Sequence, residues 1–322
     1  MILALGTSAS QDFVAFKAIE SELKKRKKEI ILFKQDLCLN NEIISYKFSE
    51  NGSFVPLINI EGKNYDIGSF EGAINLHPML PRELLGFSKI SLRQFIWKQF
   101  YEMRRGVWMI LKDKKWLNDP FSAEMAENKV FQLVAAQKVG LTIPATLISS
   151  SPSDVKNFYL KCGGLMINKI LSTSPILDKV TFTHLVDECD IDDNLSILIS
   201  PAIFQPLIKK EYELRITIVG NKLFSTKINS QENLATSIDW RVHPVKKKSS
   251  IQMEPTLIPL ELEVKILNLM RLLNLNYGAV DMIVTPQGDY VFLEINPSGQ
   301  WYFIQENTRC NDIASAIADF LC

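Results

Sequence analysis

Asp281, Glu294 and Asn296 are the residues whose types and spacing bear most directly on chemistry. They stand in the stretch 278–301, where two apolar runs, 279–284 and 290–295, are split by Pro286-Gln287-Gly288-Asp289. That is a β-hairpin pattern with turn residues at its middle. Period-two alternation places Glu294 and Asn296 on one face of the second strand. Carboxylates in strands this apolar are costly to bury unless something positive meets them. Two carboxylates and an amide oxygen make a hard donor set suited to Mg²⁺, which keeps waters and shares substrate phosphate oxygens. The competing reading gives Asp281 and Glu294 to Arg or Lys on neighbouring elements. Convergence of three acceptors on one hairpin favours the metal.

Other charges fall inside predicted elements. Glu213 and Arg215 lie two residues apart in the strand 209–219, hence on one face. Taken alone they read as an internal salt bridge. Lys169 interrupts the apolar strand 165–170, and a buried ammonium there needs an anion. Lys129 on the helix 122–139 says nothing by itself. An acidic segment, 183–195, carries Asp187, Glu188 and Asp192 and reads by default as a solvated helical face. The sequence shows no Ser-His-Asp or Cys-His arrangement, so no covalent enzyme intermediate is expected. His77, His184 and His243 have no ligand spacing.

Asp281 followed by Glu294-Ile-Asn296 resembles the C-terminal metal signature of ATP-grasp ligases. The longer string 291–301, ending Asn-Pro-Ser-Gly-Gln-Trp, resembles more narrowly the graspetide (microviridin-type) synthetases, which cyclise ribosomal peptides through side-chain ester or amide bonds. The order of Gln205-Pro-Leu207, then Glu213-Leu-Arg215, then Asp281 and Glu294-Ile-Asn296 follows the same family.

The resemblance implies an α/β (α+β) ATP-grasp fold in three parts. A pre-ATP-grasp-like α/β domain spans 1–115. A central subdomain spans 116–200, and a C-terminal subdomain with the metal site spans 201–322. ATP and Mg²⁺ are the implied cofactors, with Asp281, Glu294 and Asn296 as metal ligands. Lys129 and Lys169 are implied at the phosphates, Gln205 and Leu207 at the adenine, and Lys210 and Glu213 elsewhere on the nucleotide. Arg215 and Arg241 are the implied catalytic residues, Arg241 through an Asp239-Trp-Arg241 element that holds the acid being activated. Asp187, Glu188, Asp192 and Asp239 are implied to meet a ribosomal precursor peptide. The implied reaction activates Asp or Glu side chains as acyl phosphates and joins them to Ser/Thr hydroxyls or Lys amines. Another ATP-grasp carboxylate-amine ligase, or an inactive nucleotide- or peptide-binding relative, is the alternative. The resemblance runs over 116–301. Asn75-Leu-His-Pro-Met79 departs from the aromatic-Arg-Arg stretch that many graspetide synthetases carry there.

The elements that must position these residues follow from periodicity. A strand at 2–5, a helix at 12–28 with Phe13, Phe16, Ile19 and Leu23 on its apolar side, and a strand at 30–33 open the chain as a βαβ-like unit. A small hairpin follows at 54–67. A helix at 91–105 carries an apolar stripe of Leu92, Phe95, Ile96 and Phe100. The string 116–120 reads as a linker. Beyond it come a single helix at 122–139 stopped by Gly140, a helix from Ser153 to about residue 161, and a strand over 198–204. By the resemblance, residues 171–175 stand where ATP-grasp proteins carry a lid over the phosphates. An amphipathic helix at 259–273 precedes the metal hairpin, and a short helix capped by Asn311 closes the chain.

The chain of 322 residues is long enough for two or three packed subdomains. Lys plus Arg equals Asp plus Glu at 36 each, which removes any global electrostatic case for nucleic acid or a membrane surface. Five scattered cysteines without a Cys-x-x-Cys pair point to a reducing compartment, and no signal peptide or membrane span is read. A cytoplasmic enzyme, reasonably a homodimer by the resemblance, is the expectation.

Overall fold

A computed structural model describes residues 1–8, 10–37, 42–76, 86, 89–172, 183–232, 238, 240, 251–309 and 312–322. The first segment runs β1 (Ile2–Gly6), α1 (Ser10–Lys25), β2 (Ile30–Lys34), β3 (Ile43–Phe48), β4 (Phe54–Ile60), β5 (Lys63–Asp66), β6 (Gly72–Asn75), α2 (Ile90–Ile110) and β7 (Lys115–Leu117). The order β2-β1-β6-β7 makes a parallel sheet. β1 is buried along its whole length, as a parallel strand covered on both faces must be, which is why it reads as an unbroken apolar run. Phe16, Ile19 and Leu23 of α1 pack on it, whereas Phe13 is 39% exposed. Antiparallel β3-β4-β5 forms a separate small sheet. Its β4–β5 turn has Glu61 and Gly62 both at positive φ, the backbone a two-residue hairpin requires.

Two expectations are corrected here. The stretch 116–120, expected as a linker, instead begins in β7, whose Trp116 and Leu117 are buried in the first sheet. The apolar stripe expected on 91–105 is the exposed half of α2. Leu92 and Phe95 face outward, and the burial comes a turn later at Arg104, Val107 and Trp108, where the helix reaches the sheet.

The middle segment contains α3 (Pro120–Glu127), α4 (Lys129–Lys138), β8 (Leu147–Ser149), α5 (Pro152–Lys161), β9 (Met166–Ile170), β10 (His184–Val186), α6 (Glu188–Asp192), α7 (Asn194–Ile199) and β11 (Ala202–Pro206). The single helix expected over 122–139 is two. Asn128 breaks it with an extended backbone and restarts it, its side chain accepting the Phe131 N–H at 3.0 Å. α5 is capped by Ser151 with Pro152 in its first turn, one position pair earlier than the expected Ser153. Leu198 and Ile199, expected in a strand, end α7. The antiparallel sheet β10-β9-β11-β8 carries α5 to α7 on one face, over Val155, Met166, Val186, Ile191, Ile197 and Phe204.

The last segment holds β12 (Tyr212–Val219), β13 (Lys222–Ile228), β14 (Met253–Pro255), α8 (Leu260–Leu272), β15 (Tyr277–Val284), β16 (Tyr290–Asn296), α9 (Tyr302–Thr308) and α10 (Ile313–Leu321). Its antiparallel order is β14-β13-β12-β15-β16. Leu214, Ile216, Val280, Met282, Phe292 and Ile295 turn one face of this sheet onto α8 and α4, leaving the other for polar work. α10, capped by Asp312 through the Ser315 N–H, returns to pack on α1, so the first and last segments share a core. Asn311 lies outside the described residues.

Candidate active site

Register assembles the site. Arg215 on β12 is paired with Asp281 on β15, and Asp281 with Glu294 on β16, so the three stand in a row across adjacent strands. The row depends on an irregularity. Asp281 opposes Glu294 but Met282 opposes Phe292, which makes Leu293 an extra residue in β16. Plain alternation from Phe292 would send Glu294 into the core beside it. The bulge resets the phase, so Phe292 and Ile295 stay in the core and Glu294 joins Asp281 on the open face.

Each carboxylate is met by a cation. Arg215 Nη1 donates to Asp281 Oδ2 at 2.7 Å, and Lys129 Nζ, at the first position of α4, donates to Glu294 Oε2 at 2.6 Å. Burial works against the Arg215 charge, but Asp281 outweighs it, so the guanidinium is held more firmly protonated than usual. Arg215 Nη2 donates to the Gln300 carbonyl at 3.1 Å. Asn296 Oδ1 accepts the Ser298 N–H at 3.0 Å and turns the chain after β16. Both cations that the competing sequence reading invoked are therefore present, and they are the same groups implied to face phosphates.

A cation would find two carboxylates and one amide oxygen here. Among the described residues no three His, Cys, Asp or Glu side chains come together as a closed cage. That donor number fits Mg²⁺, whose other positions go to water and phosphate oxygens, and does not fit a metal that demands an all-protein shell. Buried polar atoms near the row point the same way. Arg215 Nε, Thr217 Oγ1 and Thr226 Oγ1 have no hydrogen-bond partner among the described residues, and Thr226 is the residue opposite Arg215 on β13.

The remaining expected residues divide. Gln205 is buried on β11, donates to Thr146 Oγ1 at 3.0 Å and keeps an Oε1 without a partner among the described residues. Lys169 lies one pair along the same face, opposite Ile203, and is half-buried rather than enclosed. Leu207 differs from expectation: its N–H is bonded to the Leu165 carbonyl at 2.9 Å, because the hinge closes onto the end of the α5–β9 turn. That amide is not a donor for a base. Lys210 and Glu213 are used on each other at 2.7 Å, with the ammonium also on the Ile238 carbonyl at 3.0 Å. Burial pushes the Glu213 carboxyl up against the pull of Lys210. Asp187 is an N-cap: it accepts the Asp190 N–H in a capping box at the start of α6. Glu188 and Asp192 are exposed, Asp192 facing Lys156 at 3.5 Å. Asp239 and Arg241, and the lid stretch 173–175, lie outside the described residues.

Sequence reasoning missed two clamps. Gln132 of α4 is buried, accepts the Ile295 N–H at 3.1 Å and donates to the Ile295 carbonyl at 2.7 Å, fixing β16 between Glu294 and Asn296. Asn118 accepts the N–H groups of Asn276 and Tyr277 and donates to the carbonyls of Tyr277 and Pro297, tying the start of β15 to the end of β16. The only signal was a polar side chain in an otherwise apolar context.

No family model matches the chain. It is 28% identical over 211 residues to a probable alpha-L-glutamate ligase of Coxiella burnetii, a stretch covering 64% of this chain and 66% of that relative. A RiPP-associated ATP-grasp ligase of Chryseobacterium gregarium, solved with ADP and a leader and core peptide, superposes with a TM-score of 0.84 at 27% identity, covering 100% of this chain and 96% of the other. The macrocyclase MdnC of Microcystis aeruginosa, bound to its precursor peptide MdnA, superposes with a TM-score of 0.83 at 27% identity over 100% and 99% of the two chains. With that fold from end to end, this chain is similar to the RiPP-associated ATP-grasp ligases.

Proposed function

We propose that the protein is an ATP-dependent carboxylate ligase that activates Asp or Glu side chains of a ribosomal precursor peptide as acyl phosphates. It then joins them to Ser/Thr hydroxyls or Lys amines within that peptide. The observation that carries this reading is the row of alternating charge from Arg215 through Asp281 and Glu294 to Lys129.

Mg²⁺ bound with ATP supplies charge neutralisation at the transferred phosphoryl group, and Asp281, Glu294 and Asn296 would hold it. Arg215, fixed by Asp281 and the Gln300 carbonyl, offers fixed positive charge to the oxygens that gain charge in transfer. Lys129 keeps Glu294 neutralised and oriented before substrate arrives. Lys169 on β9 is the second lysine offered to the phosphates. The Gln205 Oε1, without a partner among the described residues, is an acceptor suited to an N–H of the base, a role in which it replaces the Leu207 amide. Arg241 binds the acid being activated, since a guanidinium fork takes a carboxylate bidentately. Glu188 and Asp192, with Asp187 at their helix start, and Asp239 meet the peptide.

The three-part division near residues 115 and 200, a homodimer and a cytoplasmic setting belong to the same proposal. Among the described residues no helix is long and apolar enough to cross a membrane. The likeness to the glutamate ligase favours one second reading, an amino-acid ligase acting on a small molecule or protein tail.

The test is ADP release from purified protein with Mg²⁺-ATP, with and without a precursor peptide encoded beside the gene, read against intact peptide mass. Peptide-dependent ADP release with loss of one water mass per ring is the expected result. ADP release with free glutamate as acceptor, and an unchanged peptide mass, would move the assignment to the second reading.

A further inference from the structure

Arg215 is held on one side by Asp281 and on the other by the Gln300 carbonyl, and that second partner belongs to the loop between β16 and α9. Where the loop stands therefore decides where the guanidinium stands. The loop is fixed one backbone group after another. Asn118 Nδ2 donates to the Pro297 carbonyl at 2.8 Å, and Asn296 Oδ1 accepts the Ser298 N–H at 3.0 Å. The Gly299 N–H donates to the Asn296 carbonyl at 3.3 Å. The Gly299 carbonyl, one residue before the group that holds Arg215, accepts the hydroxyl of Tyr277.

Alternation along β15 brings this tyrosine to the loop. Tyr277, Ala279 and Asp281 share the face that carries the charged row. The loop lies directly on the middle one: a Cβ placed on Gly299 would fall 2.6 Å from the Ala279 Cβ and 2.8 Å from Arg215 Nη2, closer than a side chain can come. Tyr277 thus meets the loop on one side of Ala279, and the Arg215–Asp281 pair meets it on the other. The tyrosine is buried in the core shared with Trp301 and Ile304, and packing there asks only for a phenyl ring. Burial pushes its phenol well above the usual range against the pull of the Arg215 charge, so the hydroxyl keeps the proton that it donates.

We infer that Tyr277 is a positioning residue for Arg215, acting through the Gly299 and Gln300 carbonyls to hold the guanidinium at the oxygens that gain charge in phosphoryl transfer. The inference rests on the ligase reading above, in which Arg215 offers fixed charge to those oxygens. It adds a residue that touches neither nucleotide nor peptide. Fixed donors help the chemical step because they need no rearrangement as charge develops. A guanidinium that follows a loosened loop loses that advantage, and the loss falls on kcat rather than on binding.

Tyr277→Phe, which keeps the ring and removes the hydroxyl, tests this in the full chain by two measurements. In protein carrying isotope-labelled arginine, the Arg215 Nε–Hε cross-peak, assigned by its loss in Arg215→Lys, should shift in Tyr277→Phe. The cross-peak of Arg104, buried in the first segment, should stay in place. In steady-state assays Tyr277→Phe should lower kcat for peptide-dependent ADP release about tenfold, with KM for ATP unchanged. In the Arg215→Lys background, where the Gln300 carbonyl has already lost its donor, the same substitution should lower kcat no further. Gly299→Ala, which displaces the loop from its Ala279 side, should shift the same cross-peak and lower kcat in the same way. An Arg215 cross-peak that does not move in Tyr277→Phe overturns the inference, as does an equal fall in kcat in both backgrounds. A shifted cross-peak in a protein with no peptide-dependent ADP release upholds the contact between Tyr277 and Arg215 through the loop, and sinks the ligase reading instead.

Discussion

The β12–β16 sheet and the β8–β11 sheet of this protein are built to different standards. The β12–β16 sheet has a closed apolar core behind it, two clamps at the open end of its hairpin, and an ion pair on each of its two aligned carboxylates. The β8–β11 sheet has a thinner core. Its helices α6 and α7 start on acids, Asp187 and Asp193, that cap their own first turns, and Leu195, Leu198 and Ile199 are 68%, 57% and 73% exposed. The first arrangement suits fixed electrostatics, where donors must not move as charge develops. The second leaves polar and apolar surface unspent, as a face that gains its order from a partner would. The lesson is that one fold can separate the chemistry from the recognition by sheet.

The strongest way to break the contrast is Arg215→Ala. It removes the donor at one end of the row and leaves the half-buried Asp281 without this cation. We expect peptide-dependent ADP release to fall by about 10²–10³ and urea denaturation to show a loss of about 3–5 kcal/mol. Arg215→Lys should recover stability more than rate, because an ammonium cannot reach Asp281 and the Gln300 carbonyl together.

Gln132→Leu tests whether the clamp matters apart from the charges. Two backbone groups of Ile295 lose their partners, so a loss of about 1–3 kcal/mol is expected in the same denaturation assay. The Mg²⁺ concentration for half-maximal rate should rise. An unchanged Mg²⁺ requirement would show that Glu294 holds its place without α4.

On the other sheet, Glu188→Lys with Asp192→Lys should raise KM for the precursor by about tenfold at low salt. The effect should shrink in high salt, as rim electrostatics do. A matching loss of kcat would erase the proposed separation between sheets.

The smallest effect lies away from both sheets. Burial pushes the Glu42 carboxyl up to about 7, against the Lys34 N–H that bonds it. The folded state thus holds its proton more tightly than the unfolded chain. The stability this contributes is present below the ordinary carboxyl range and is lost as pH rises through about 7. Glu42→Gln should therefore raise Tm at pH 8 and leave it nearly unchanged at pH 4, by thermal melts at both values.

Much of the site was legible because its signals are local. An acid inside an apolar strand and a Glu-Leu-Arg string announce themselves through period and cost, and their order along the chain matches a known plan. What was not legible depends on distant backbone. Asn118 and Gln132 act on carbonyls and amides 158 and 163 residues away in the chain, and main-chain groups leave no mark in a sequence. The split at Asn128 was hidden because periodicity runs through it. The misplaced stripe on α2 shows that an apolar face predicts burial only where another element is present to cover it.

The bulge at Leu293 has a consequence for how such a chain can vary. The turn 285–289 can lengthen or shorten without disturbing Asp281 or Glu294, since both strands enter it with their own pairing. The stretch from Phe292 to Glu294 is held to a different rule. Removing Leu293 would abolish the bulge and leave Glu294 directly after Phe292, still opposite Asp281 on the open face, whereas moving the extra residue to the far side of Glu294 would turn that carboxylate toward the core. Within this hairpin the tip can vary in length and the bulge can be lost, but not shifted past Glu294, so register is constrained as strictly as residue type.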